Sequence, residues 1–311
     1  MPSQNYGNVV TVATQLKSVL NQHRSLKKAA FSAVGALTLV GTTILPQVQA
    51  QAPERWLEVQ RIAGSVSVRT NQSRAAQIGD RLSQPGNSLT TGSASSSNLT
   101  LDDGIGSIAV AQNTHLAVQR LDTLPDGAKV SIVDVSRGQA RIQARPFTHP
   151  NTILELRTPS GVAAVRGTEF GLTVAEDGKT SVGTLEGQVN VTAESVTVRV
   201  NADEVSTIRP GEPPTTPAPL DRVLDIEWFT QERRGNILFL SGRIDPSNVL
   251  LFEGEEIEIS RSGYFEQQVR SARRNRSIAF TVQNPLGETR LHPVSLWRLP
   301  DLDRGSNQDG E

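Results

Sequence analysis

Four arginines within seven residues are the densest group of side chains in the sequence that could recognise a charged ligand. Arg270, Arg273, Arg274 and Arg276 fall between two predicted strands. Guanidinium groups make paired hydrogen bonds to carboxylate and phosphate oxygens. We therefore treat this loop as a candidate binding site for anionic material such as peptidoglycan or lipopolysaccharide. A solvated turn is the alternative interpretation.

Other residue types that carry catalysis or bind metals form no recognisable pattern. The four histidines have no ligand partner at metal-site spacing, and the sequence has no cysteine. Asp102-Asp103-Gly104 fits an Asp-Gly hairpin turn better than a calcium loop. Glu253, Glu255 and Glu256 fit a solvated hairpin tip better than an acid/base pair. Neither G-x-S-x-G nor G-x-x-x-x-G-K is present. We expect a binding protein with no catalytic residue, no cofactor and no metal.

The composition favours an all-β fold. Aromatic residues make up only 4% of the 311 residues, and there is no long amphipathic helical pattern. A chain of this length can hold about two domains. Four basic and no acidic residues precede Ala50, so the remainder is about five charges negative. Such a charge does not favour nucleic acid as a partner.

Residues 1–50 have the pattern of a secretory signal peptide. A basic, acid-free lead is followed by the apolar run Ala29–Leu45 and by the small-residue triplet Val48-Gln49-Ala50. This pattern predicts cleavage after Ala50 and a periplasmic or extracellular location. An uncleaved membrane anchor is the alternative, with the apolar run as the only contact with the membrane.

The strongest strand pattern lies in Leu156–Val174. Phe170–Val174 alternates with the period of two that places one face on a core, but Val165 falls in the opposite phase. A register shift is needed between them. Gly167 is the natural position for a β-bulge, which would return Val165 to the buried face.

The segment T-P-S-G-V-A-A-V-R-G-T-E-F, followed by an alternating strand, closely resembles the signature of the FecR domain, a family of bacterial periplasmic or extracellular all-β modules. Further motifs follow in the family's order, so that the resemblance covers roughly residues 56–212. They are G-S-V-S-V (Gly64–Val68), I-G-D-R-L (Ile78–Leu82), L-T-T-G (Leu89–Gly92), L-D-D-G (Leu101–Gly104), L-E-G-Q-V-N-V (Leu185–Val191) and I-R-P-G-E (Ile208–Glu212). The module occurs in sensors, envelope proteins and anchors alike, so the resemblance alone names no function.

Three charged residues of this signature are candidate binding residues, namely Arg157, Arg166 and Glu169. They could form a recognition edge for a protein or glycan. The alternative is structural: a buried or half-buried ion pair that helps to define the fold together with Gly167.

Turn-then-strand segments beginning at Gly64, Gly138 and Gly187 resemble one another at unequal spacing. They predict an elongated β-roll or β-helix-like stack for the FecR-like domain at residues 51–209. A compact barrel is the alternative fold.

Five prolines between Pro210 and Pro219 predict a linker over residues 210–221. Polyproline II geometry, at ~3.1 Å per residue, would hold two domains about 25 to 30 Å apart. Residues 222–299 then predict seven short strands and a small Ig-like β-sandwich. Their S-G-R-I-D-P-S-N-V segment resembles bacterial Ig-like modules. Residues 300–311 are predicted to be a disordered tail.

We therefore expect a non-catalytic, exported envelope protein whose FecR-like and Ig-like modules bind another envelope component, a protein or an anionic glycan. The alternative is a periplasmic signalling or regulatory protein of the FecR type. This alternative is without a cytoplasmic anti-sigma domain. The resemblance implies such a domain ahead of the apolar run for sigma-factor regulators, and residues 1–28 do not match one. A polysaccharide-binding accessory module of a secreted hydrolase is a third possibility.

Overall fold

A computed structural model describes residues 54–102, 104–270 and 277–295, and within these ranges the regular secondary structure is entirely β. The predicted all-β fold class is confirmed. The described residues belong to one compact unit. The predicted signal peptide with its cleavage after Ala50, and the predicted tail at residues 300–311, lie outside the described residues.

Seventeen strands form the N-terminal module. They are β1 (Leu57–Ala63), β2 (Val66–Arg69), β3 (Ser73–Ala75), β4 (Arg81–Leu82), β5 (Ser88–Thr91), β6 (Ser96–Leu101), β7 (Gly106–Val110), β8 (His115–Thr123), β9 (Lys129–Ala144), β10 (Ile153–Arg157), β11 (Val162–Val165), β12 (Glu169–Val174), β13 (Thr180–Glu186), β14 (Gln188–Ala193), β15 (Val196–Asn201), β16 (Glu204–Ile208) and β17 (Ala218–Pro219).

These strands form two open sheets that share one long strand. Sheet A has the order β4–β1–β6–β7–β9–β12–β13–β16–β17. Sheet B has the order β3–β2–β5–β8–β9–β10–β11–β14–β15. Neighbours are antiparallel except β9 and β10. Because the sheets are open, the barrel alternative does not describe this module.

One hydrophobic core lies between the two sheets. Side chains alternate between buried and exposed along strands such as β6 and β14, as the period of two requires. Sheet A contributes Leu99, Ile142 and Phe170 to this core, and sheet B contributes Val118 and Val189. The two sheets are therefore held together by apolar side chains from both of them.

The chain passes between the sheets at corners, and these corners explain the three similar segments seen in the sequence. Gly64 lies between β1 and β2, Gly138 at the bend of β9, and Gly187 between β13 and β14. Their φ angles are +74°, +84° and +80°. Glycine is favoured here because a side chain makes this backbone conformation costly.

One row of corners is held together by hydrogen bonds from each corner to the next. The Gly92 amide donates to the Ser65 carbonyl at 2.9 Å, and the Asn113 amide donates to the Gly92 carbonyl at 3.1 Å. The Ala111 amide in turn donates to the Gln139 carbonyl at 3.0 Å. We call these four corners, at residues 64–65, 92–95, 111–114 and 137–139, the corner row.

Gly167 also lies at a corner, which corrects the prediction of a bulge inside one strand. Val165 ends β11 in sheet B, whereas Phe170 lies in β12 of sheet A, and both are buried. The alternation changes phase because the chain changes sheet. The register shift in this region lies between Glu169 and Phe170, opposite β13.

Replacing Gly167 with alanine should destabilise the N-terminal module. The φ angle is +110°, and a Cβ atom would lie 2.3 Å from the Pro146 Cα atom. Gly79→Ala is a matched control, because Gly79 has a φ of +90° but no atom within 4 Å of that position. We expect Gly167→Ala to lower the free energy of unfolding by roughly 1 to 3 kcal/mol more than the control, measured by urea denaturation. Equal losses would show that the contact with Pro146 is unimportant.

The proline-rich segment is bound along sheet A, and the predicted separation of 25 to 30 Å is wrong. Ala218 and Pro219 form β17, which pairs with β16. The Thr215 amide donates to the Thr207 carbonyl at 2.9 Å, and Leu220 is buried. A segment attached along its length cannot act as a free spacer. The domain bounds 51–209, 210–221 and 222–299 stay predictions.

Seven strands follow among the described residues, the number predicted for the C-terminal module. They are β18 (Glu227–Arg234), β19 (Ile237–Arg243), β20 (Val249–Phe252), β21 (Glu255–Ile257), β22 (Tyr264–Arg270), β23 (Ser277–Gln283) and β24 (Thr289–Ser295). Sheet C has the order β18–β19–β22, and sheet D has the order β21–β20–β23–β24. Trp228 packs edge-on against Phe265 and Phe280 in their common core. The Ig-like assignment of these sandwich-like sheets stays a prediction.

Candidate functional site: the interface between the modules

Two glycines provide the surface on which the C-terminal module docks. Gly171 of β12 and Gly183 of β13 are directly paired across the strands. The turn between β23 and β24 lies over them, and a Cβ atom on Gly171 would be only 2.1 Å from the Pro285 carbonyl oxygen. A Cβ atom on Gly183 would be 3.4 Å from the Pro285 Cβ atom. The missing side chains therefore leave the space that the turn at residues 284–287 occupies.

Polar and apolar contacts complete this docking. The Gln139 amide group donates to the Asn284 carbonyl at 2.7 Å and to the Pro285 carbonyl at 3.1 Å. Leu286 packs against Leu220 in a small separate core. Arg222 then makes an ion pair with Asp203 at 2.6 Å and with Glu288 at 2.8 Å. Contacts of this kind fix the arrangement of the two modules.

Lys179 inserts a charged group from the N-terminal module into the C-terminal module. Its side chain is 3% exposed, and its ammonium group donates to the carbonyls of Pro246 at 3.1 Å and Asn248 at 2.9 Å. Burial lowers the pKa of Lys179 to about 8, although the negative charges of Asp177 and Glu256 act to raise it. Apart from the scarcity of lysine after Ala50, nothing in the sequence pointed to this role.

Glu256 is the acidic counterpart from the C-terminal module, which corrects its assignment to a solvated turn. Glu253 and Glu255 are exposed, as predicted, but Glu256 is half-buried. Burial raises the pKa of Glu256 to about 7, although the positive charge of Lys179 acts in the opposite direction. The sequence could not distinguish Glu256 from its neighbours, because the burial comes from a distant part of the chain.

We expect the stability of the protein to fall as the pH rises from 4.5 to 7 because of Glu256. Its folded-state pKa of about 7 lies above the ordinary value of 4.5, so the folded state binds the proton more tightly. The stabilising contribution is complete below pH 4.5 and is lost as the pH rises through about 7. Urea unfolding of Glu256→Gln over this range should show a weaker pH dependence than the unmodified protein.

Glu255→Gln is the control for this prediction, because Glu255 is the exposed neighbour of Glu256. It should keep the original pH dependence. If Glu256→Gln and Glu255→Gln show the same profile, burial of Glu256 does not control the stability in this range.

A cleft of about 490 Å³ lies between the corner row and the β20–β21 hairpin. The N-terminal wall carries polar side chains, among them Ser65, Asn113 and Arg137. The C-terminal wall carries Leu251 and Glu255. This cleft was not predicted, because the linker was expected to keep the modules apart.

The three candidate residues of the FecR signature are not brought together. Glu169 makes its ion pair with Arg141, at 2.6 Å, across β12 and β9. Arg157 makes an ion pair with Glu155 at 3.1 Å. Arg166 is exposed beyond the end of β11, and the β10–β11 register places it at the opposite end of that pair from Arg157. An ion pair involving Glu169 does exist, but with a partner that was not predicted. A binding role for these residues stays a prediction.

Of the four clustered arginines, Arg270 is at the end of β22 and is exposed. Arg273, Arg274 and Arg276 lie outside the described residues. Asp102 follows β6, and its carboxylate accepts a hydrogen bond from the buried Arg55 guanidinium at 3.0 Å. A binding role for the arginine loop stays a prediction.

The described part of the chain offers no grouping of three or more His, Asp or Glu side chains suited to holding a metal ion. Within the same residues, no helix is long and apolar enough to cross a membrane.

Residues 87–190 match the sequence model of the family described as FecR protein. The match lies within the region 56–212 that resembles this domain and confirms the resemblance there. Similar solved structures include two crystal structures of a candidate anti-sigma factor from Parabacteroides distasonis. Each is 16% identical, covers 47% of this chain and 68% of that chain, and has a TM-score of 0.37. Likeness at this level supports no functional argument. No curated protein matches the chain.

Proposed function

Because residues 87–190 match the FecR family, we propose that this chain is an exported regulatory protein of the FecR type. It receives a signal by binding another envelope component, and it catalyses no reaction. The family match is the observation that carries this proposal. It favours the regulatory alternative over a general envelope-binding role. The signal-peptide pattern of residues 1–50 supports a periplasmic or extracellular location.

The docked arrangement supports a binding role. The Gly171–Gly183 pair and Lys179 hold the two modules in one docked arrangement. Preorganised surfaces bind with a smaller loss of conformational entropy. A partner that contacts both modules could then be sensitive to their arrangement, which is what a regulatory protein requires.

Arg166 is the best-placed candidate residue for contact with a protein partner. It belongs to the FecR signature and is exposed. Its side chain makes no ion pair or hydrogen bond with the residues at 54–102, 104–270 and 277–295. Because its charge is not used within these residues, it is available to a carboxylate of a partner.

A second candidate function, binding to an anionic envelope glycan, is favoured by one observation. Arg234 and Arg270 flank Ile237 in the paired strands of sheet C. Both arginines are exposed, and neither has a carboxylate partner among the described residues. Two such guanidinium groups could bind carboxylate or phosphate groups of peptidoglycan or lipopolysaccharide.

Site-specific photo-crosslinking in cells tests the regulatory proposal. A photoreactive residue placed at Arg166 in the full chain should yield one main protein adduct, identified by mass spectrometry. The same residue placed at Arg199, which is exposed on β15 outside the signature, should not yield this adduct.

Recovery of glycan strands instead of a protein from position 166 would contradict the regulatory proposal and favour the second candidate. An identical set of adducts from positions 166 and 199 would show that neither position lies in a specific interface.

A further inference from the structure

The cleft between the modules has a wall of polar side chains. They include Ser65, Asn113 and Arg137, which lie at three of the four corners of the corner row. The wall therefore offers several hydrogen-bonding groups along one side of the cleft.

Several of these groups are not used by the fold. The side chains of Ser65, Ser67, Asn113 and Arg137 make no hydrogen bond or ion pair with any of the described residues. By contrast, the buried Gln139 at the end of the same wall uses its side chain to hold the C-terminal module. The free groups are thus available to a ligand without breaking an existing contact.

The opposite wall combines an apolar surface with carboxylates. Val249 and Leu251 of β20 line the cleft, and Glu255 and Glu256 of β21 lie beside them. Carboxylates accept hydrogen bonds from hydroxyl groups, and the aliphatic side chains can pack on an apolar ring face.

The charges in the cleft disfavour an anionic ligand. Among the described residues, the lining of the cleft has one basic side chain, Arg137, and three acidic ones, Glu176, Glu255 and Glu256. The net charge of the lining is therefore not positive, although burial raises the pKa of Glu256 to about 7. A ligand with many hydroxyl groups and no charge fits this environment best, because hydroxyls both donate and accept.

We propose that this cleft is a binding site for a neutral oligosaccharide, whose hydroxyls bond to the corner row and to the glutamates while a sugar ring packs on Leu251. A volume of about 490 Å³ is within the usual range for small-ligand sites. This saccharide is a second ligand, in addition to the partner that the FecR signature contacts under the proposed function. Since the saccharide touches both modules, it stabilises their docked arrangement.

Isothermal titration calorimetry of the purified protein with chitotetraose, cellotetraose and maltotetraose tests the site. Tetragalacturonic acid is the anionic comparison. We expect at least one neutral tetrasaccharide to bind more tightly than the acidic one and to raise the melting temperature. Arg137→Ala should weaken this binding about tenfold or more, because it removes charge-assisted hydrogen bonds. Arg199→Ala, a change of the same type on the exposed face of β15, should leave it unchanged.

The inference is overturned if none of the neutral probes binds at millimolar concentration, or if the acidic one binds more tightly. It is also overturned if Arg137→Ala and Arg199→Ala bind alike. None of these results affects the photo-crosslinking outcome at Arg166, so failure of the saccharide site and failure of the regulatory proposal can be told apart.

Discussion

The absence of side chains at Gly171 and Gly183 is the constraint on which the arrangement of this protein depends. A directly opposed glycine pair makes a flat area on sheet A, and Pro285 lies in the space that a Cβ atom would fill. Glycine in a strand often marks a site where another backbone approaches closely, because it has no side chain. Once the turn at residues 284–287 is seated, the C-terminal sandwich faces the corner row, and the cleft between them exists.

The interface contains two ionisable groups that would be costly to bury without a partner. Lys179 satisfies its ammonium group with the carbonyls of Pro246 and Asn248, and Glu256 keeps a proton at higher pH than an exposed glutamate does. Both groups therefore favour one specific arrangement of the modules over loosely associated alternatives. The proline-rich segment adds to this effect, because β17 attaches it to sheet A.

Features that depend on local sequence were predictable. Residues 222–299 predicted seven short strands, the number that the described part of this region contains, and glycine-led segments at Gly64, Gly138 and Gly187 marked places where the backbone requires positive φ. Features created by distant contacts were not. The need for glycine at position 171 comes from a turn more than a hundred residues later. The prolines predicted a spacer, because composition could not show that Pro219 pairs with sheet A.

Pulsed electron paramagnetic resonance distance measurement tests most directly whether the modules are docked. The chain has no cysteine, so spin labels on Arg199→Cys and Gln268→Cys, both at exposed positions, would report one inter-module distance. Docking through the glycine pair predicts a single narrow distance distribution, which Gly171→Ala should broaden because the added Cβ atom displaces Pro285. A broad distance distribution in the labelled protein that keeps Gly171 would contradict the docked arrangement. It would support the free spacer predicted from the prolines.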